Sequence, residues 1–232
     1  MNWQQPIPRS YTSLPTDEVV RRIADRKSEL GDRLVILGHH YQQDNVIRFA
    51  DVVGDSFQLS REAAKLAKAE YVIFCGVHFM AESADILTAD HQKVILPDMG
   101  AGCSMADMAA LEDVEDAWNV IEEACARIEG FKLVPITYMN SAASLKSFVG
   151  EHDGAVCTSS NCEKILRWAL GENCPLPNAN CQLPPSISNG QSAMGNRTKI
   201  IFFPDQHLGR NTGFDMGYTA RSEEHTSELQ SQ

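Results

Sequence analysis

The residues able to do chemistry in this chain cluster in short polar turns, each directly after an apolar run. They are His39, His40 and Tyr41; His78; Asp98 and Cys103; Tyr138 and Asn140; Ser159; and Asp205 with His207. A neutral imidazole both donates and accepts, so His39 suits proton transfer or substrate binding. The competing role is a hydrogen-bonded histidine at a strand end. His40 ranks below it, because adjacent side chains point apart. Ser56 and Ser159 stand where helices are expected to start. A hydroxyl beside free helix N–H groups favours a carboxylate or phosphate; the competing role for each serine is plain capping. Cys103 lies in the small-residue loop Gly100-Ala-Gly-Cys-Ser104. Such a loop lets a bulky group approach the backbone, which suits a metal or cluster ligand. One thiolate is not enough, since iron–sulfur sites take three or four protein ligands. Cys157 and Cys162 form a C-x4-C pair, but no second pair completes a zinc site, and both read as core residues, as does Cys125. No glycine fingerprint for a dinucleotide or phosphate loop is present.

These turns need a frame that holds them at one edge. Leu34–Gly38, Tyr71–Cys75, Lys93–Leu96, Leu133–Thr137, Gly154–Cys157 and Lys199–Phe203 are short apolar runs that read as strands. Helical spacing fills the intervals. One helix is expected from Thr16, as its cap, to Leu30. Others are expected to open at Gly54-Asp55-Ser56, to run from Met80 to Leu87 and from Leu111 to Ile128, to be capped by Ser141, and to follow Ser159. Alternating strands and helices imply α/β architecture, with parallel sheets covered on both faces in three-layer αβα domains. In such sheets ligands bind beyond the carboxyl ends of the strands, where the listed turns fall. Pro-Asp closes both Leu96-Pro97-Asp98 and Phe203-Pro204-Asp205, which suggests an internal repeat. The expected domains are an N-terminal helical segment over 1–32, a first αβα domain over 33–110 and a second over 111–218. Residues 173–197, rich in Pro, Asn, Ser and Gly, read as an insertion holding Cys174 and Cys181. Residues 219–232 are polar and foreign to the preceding pattern; they resemble a translated sequencing adapter and are left out of the fold.

A formal net charge of -11 argues against a general nucleic-acid binder, because phosphate binding needs clustered Lys and Arg. No apolar run reaches the length of a membrane span, and residues 1–15 lack the order of a signal peptide, so a cytoplasmic location is expected. Seven cysteines are many for a cytoplasmic chain, where disulfides are rare; the count is odd and the spacings show no disulfide framework, so each cysteine is judged alone.

Taken in order, GHHYQ at 38–42, ADVVGDSFQLSREA at 50–63, GVHFMAE at 76–82, LPDMGAGCSMADM at 96–108, ITYMNS at 136–141, VCTSSN at 156–161 and FFPDQHLGRNTG at 202–213 resemble the quinolinate synthase family. The resemblance implies three similar αβα domains about a pseudo-threefold axis. It implies condensation of iminoaspartate with dihydroxyacetone phosphate to quinolinate, in NAD biosynthesis, with a functional link to L-aspartate oxidase. It implies a 4Fe–4S cluster held by one cysteine per domain, with Cys103 the first ligand. His39, Ser56, Tyr138, Met139, Asn140 and Ser159 would bind substrate; His39 and Tyr41 would be catalytic. The family pattern stops near Gly217, so the third domain and the other two ligand cysteines are expected to be missing and this chain to be inactive alone. The alternative reading is a non-catalytic αβ fragment that binds small anions.

Overall fold

A computed structural model describes residues 4–171 and 198–218. The expected insertion and tail lie outside the described residues. These residues group into two compact units, one through Asp107 and one from Met108.

The first unit carries helices α1 (Arg9–Thr12), α2 (Thr16–Leu30), α3 (Asp44–Ile47), α4 (Ser56–Lys65) and α5 (His78–Leu87). Its strands are β1 (Leu34–His39), β2 (Val52–Gly54), β3 (Tyr71–Cys75) and β4 (Lys93–Ile95). All neighbours are parallel, in the order β2-β1-β3-β4. β1 is buried almost throughout, as a strand covered on both faces should be. Val35 and Leu37 of β1 and Val72 and Phe74 of β3 share one parity; they pack with Leu59, Ala63, Phe79 and Ala84 of α4 and α5. Each such fully buried side chain contributes about 1.5–3 kcal/mol. Gly38 has the opposite parity, and a Cβ there would lie 2.5 Å from Ile47 Cδ1. Glycine therefore lets α3 close on the other face. α2 is tied to that side by Lys27, which pairs with Asp51 at 2.6 Å and donates to the Phe49 carbonyl at 2.7 Å.

The second unit carries α6 (Leu111–Cys125), α7 (Ala143–Glu151), α8 (Cys162–Ala169) and α9 (Gln206–Asp215), with β5 (Lys132–Tyr138), β6 (Ala155–Cys157) and β7 (Thr198–Phe203). The parallel sheet runs β6-β5-β7. Alternate residues feed two separate cores. Val134, Ile136, Ile200 and Phe202 pack with α8 and α9 residues such as Ile165, Leu166 and Leu208. Leu133, Ile201 and Phe203 pack with Trp118, Leu145 and Phe148 of α6 and α7. This is a three-layer αβα sandwich, as the patterning predicts.

Several expectations are corrected. Pro15, not Thr16, is the cap of α2, and Thr16 is its first residue. α6 ends at Cys125, and Ile128 lies beyond it, 44% exposed. Ser141 does not cap α7; it is fully buried and donates to the Tyr138 carbonyl at 2.8 Å. The helix after Ser159 starts only at Cys162, with Asn161 as its cap. The internal repeat is present but shifted from its Pro-Asp marker. Strand order matches when β1, β2 and β3 are set against β5, β6 and β7. Asp98 follows β4 and Asp205 follows β7, so the two Pro-Asp turns are not equivalent.

Candidate functional site

His39 is the last residue of β1 and pairs in register with Gly54 of β2. Its parity is that of Val35 and Leu37, so the ring turns toward α4. There Nε2 lies 3.5 Å from Ser56 Oγ, and the Tyr41 N–H approaches Nδ1 at 3.4 Å. Both contacts are long. Together they favour the tautomer with Nδ1 accepting and Nε2 protonated, which leaves the Ser56 proton to be donated outward. The ring is buried, and removal of the cation from water, with His40 adding like charge, pushes its pKa from 6.5 down to about 4; Asp55 opposes this. His39 is therefore neutral at physiological pH. Tyr41 covers it, with ring centroids 4.0 Å apart, and is itself 51% exposed. The Tyr41 hydroxyl reaches Met80 Sδ at 4.0 Å, across from β1 to the start of α5. Burial and the nearby Cys103 charge both raise the Tyr41 pKa, so the phenol keeps its proton. His40 does not turn away as expected: its ring lies against that of His39, with centroids 4.2 Å apart, while its Nδ1 is 3.3 Å from the Gly54 carbonyl.

Ser56 is the first residue of α4, not its cap. Asp55 caps the helix by accepting from Gln58 N at 2.8 Å. The Asp-x-x-Gln spacing is a capping-box signal that the sequence carries in plain view. With Asp55 in that role, capping no longer accounts for Ser56. Cys103 is half-buried against the first unit's core. Its loop is held where the His78 N–H donates to the Ala101 carbonyl at 2.8 Å and where Asp98 Oδ1 accepts from Gly100 N at 2.8 Å.

The second unit repeats the arrangement. Tyr138 ends β5 and pairs with Cys157, as His39 pairs with Gly54. The N–H of Met139 donates to the Cys157 carbonyl at 2.8 Å, as that of His40 donates to Gly54 at 3.2 Å. Ser56 stands two residues after Gly54, and Ser159 two after Cys157. Ser159 is exposed in the turn before α8. Tyr138 and Asn140 are half-buried on either side of Met139, which is 6% exposed and has its N–H and carbonyl both engaged. Asp205 has a structural role, accepting from His207 N and Leu208 N to cap α9. Cys157 and Cys162 are buried in the α8-side core as a thiol–thiol pair, with the Cys157 thiol held up by its hydrogen bond to Cys162 and by burial. Among the described residues no group of three or more His, Cys, Asp and Glu could hold a metal ion. No described helix is long and apolar enough to cross a membrane.

Fold and site define a doubly wound, parallel αβα protein, built from repeated units, with its polar groups gathered beyond the strand ends. Sequence comparison makes the assignment particular. Residues 21–181 match the family model described as quinolinate synthetase A protein, and the chain belongs to that family. It is 49% identical over 217 residues to a quinolinate synthase of Anoxybacillus flavithermus, covering 94% of this chain and 52% of that protein. It is 51% identical over 214 residues to the quinolinate synthase of Corynebacterium glutamicum, covering 92% and 48%. The chain thus spans about half the length of the curated relatives it matches.

Proposed function

We propose that this chain supplies two αβα units of a quinolinate synthase, which condenses iminoaspartate with dihydroxyacetone phosphate to quinolinate, releasing phosphate and water. Family membership supports the reaction. The observation that carries the reading is a register repeated in each unit: His39 pairs with Gly54, two residues before Ser56, and Tyr138 pairs with Cys157, two residues before Ser159. Both substrates are anionic. Ser56 and Ser159 offer hydroxyl donors, His39 a neutral N–H held, among the described residues, only by its long 3.5 Å contact to Ser56, and Tyr138 with Asn140 further polar groups. Tyr41, protonated and half exposed, has a proton to give to a leaving oxygen and a ring that shields His39 from water. L-aspartate oxidase is a fitting partner, because iminoaspartate is an oxidation product of aspartate.

Cys103 is proposed as one ligand of a 4Fe–4S cluster. Among the described residues no group of three or more His, Cys, Asp and Glu could hold a metal ion, so they do not make up the donor set of a cluster. That same observation favours a second reading of this chain by itself, as a binder of small anions without catalysis.

Calorimetric titration of the chain with malate and with inorganic phosphate tests the site. Ser56→Ala and Ser159→Ala should each weaken binding to its own unit about tenfold, the worth of one hydrogen bond to a charged group. Absence of binding, or two silent substitutions, would remove the anion-binding role of both serines. In a full-length family member, replacing the cysteine equivalent to Cys103 should abolish both the iron–sulfur absorbance and quinolinate formation. A retained spectrum would exclude Cys103 as a ligand.

A further inference from the structure

In the segment before α1, the Gln4 side chain makes two hydrogen bonds to the backbone that leaves β4. Gln4 Nε2 donates to the Pro97 carbonyl at 2.8 Å, and Gln4 Oε1 accepts from the Met99 N–H at 2.8 Å. A parallel strand engages a neighbour in the same way, bonding the carbonyl of one residue and the N–H two positions on. The Gln4 amide therefore acts as a one-residue strand laid along the backbone that leaves β4.

That backbone runs directly to Cys103. After the clamped pair, Ala101 N donates to the Asp98 carbonyl at 3.1 Å, Gly102 N to the Gly100 carbonyl at 2.8 Å, and Asp107 N to the Cys103 carbonyl at 2.9 Å. The loop is rich in glycine and short side chains, which supply little packing of their own to order it. From outside the loop, the His78 N–H holds it at Ala101, and Gln4 holds it at Pro97 and Met99. We infer that Gln4 is a positioning residue for the Cys103 loop, fixing the direction from which its thiol is presented. The inference rests on Cys103 being the functional thiol of the loop. It assigns the N-terminal segment a part in the site although it lies 93 residues from Pro97 in sequence.

The test uses the 232-residue chain with Gln4→Ala and Gln4→Glu. Amide hydrogen exchange is read at Met99, and competitive iodoacetamide labelling at Cys103, with Cys75 of the same unit as the reference thiol. Gln4→Ala should speed Met99 exchange about tenfold, as expected for the loss of such a hydrogen-bonded pair. It should raise Cys103 labelling several-fold and leave Cys75 unchanged. Gln4→Glu keeps an acceptor for Met99 but sets a carboxylate oxygen against the Pro97 carbonyl, so it should fall between. Unchanged Met99 exchange overturns the clamp. Faster Met99 exchange with unchanged Cys103 labelling overturns its role in placing the thiol, and so does an equal rise at Cys75, which signals general opening. Neither readout involves a metal or a substrate, so loss of the cluster reading in a full-length relative would leave both results standing.

Discussion

His39 offers the sharpest quantitative test. Its ring is 6% exposed, faces Ser56 and Tyr41, and has the charges of His40 and Asp55 nearest to it. Folding lowers its pKa from 6.5 to about 4. Above pH 6.5 the ring is neutral in both folded and unfolded chains, and stability is unaffected. Between 6.5 and 4 the unfolded chain binds a proton that the folded chain refuses, so stability falls as pH falls. At about 1.4 kcal/mol per pH unit the full loss is about 3 kcal/mol. His39→Gln removes the titration while keeping an amide that can donate and accept. Urea unfolding of both proteins at steps from pH 7.5 to 4 gives the difference, which cancels the titration of every carboxylate they share. The wild type should lose about 3 kcal/mol relative to His39→Gln across that window, and the His39 imidazole proton resonances should stay unshifted down to pH 5. A His39 that titrates near 6.5, or a difference that is flat with pH, would refute both the buried neutral ring and its proposed role as a neutral donor to substrate.

Two further pairs of substitutions test the frame. Asp55→Ala should cost about 1 kcal/mol in urea unfolding through loss of the α4 cap, whereas Ser56→Ala should be nearly neutral; equal costs would return Ser56 to a capping role. Gly154→Ala drives a Cβ onto the Pro135 carbonyl oxygen of β5, which as backbone cannot yield, and should cost about 2 kcal/mol or more, while Gly213→Ala in α9, with open space around it, should lower stability not at all; a mild Gly154→Ala would mean that the sheet relaxes there.

At Ser56 the capping duty that competes with anion binding falls to its neighbour Asp55. Capping and ligand binding use the same hydroxyl, and only the Asp55 contact separates them. Ser159 has no such contrast within reach, since its helix starts at Cys162.

The sequence by itself determined the layers. β1, β3, β5 and β7 are legible because a strand covered on both faces must be apolar at every position, and that leaves a continuous run. Helices α2 and α4 to α8 were legible through their spacing, to within a few residues, and the polar turns through their place after each run; α1, α3 and α9 were not expected. Position 38 had to be glycine for α3 to close, but the sequence states only that it is glycine. What it could not show was pairing between segments far apart in the chain. β2 is three residues long with no apolar run, and it exists because Leu37, Val53's neighbour Gly38 and His39 supply partners for it. The repeat was marked by the wrong Pro-Asp, since local identity carries no register. The meeting of His39 with Ser56, of Tyr41 with Met80 and of Gln4 with the Cys103 loop was decided by tertiary structure alone. Each joins groups that share no period or motif, and hydrogen bonds between distant segments form only after the sheet has fixed where its strand ends lie.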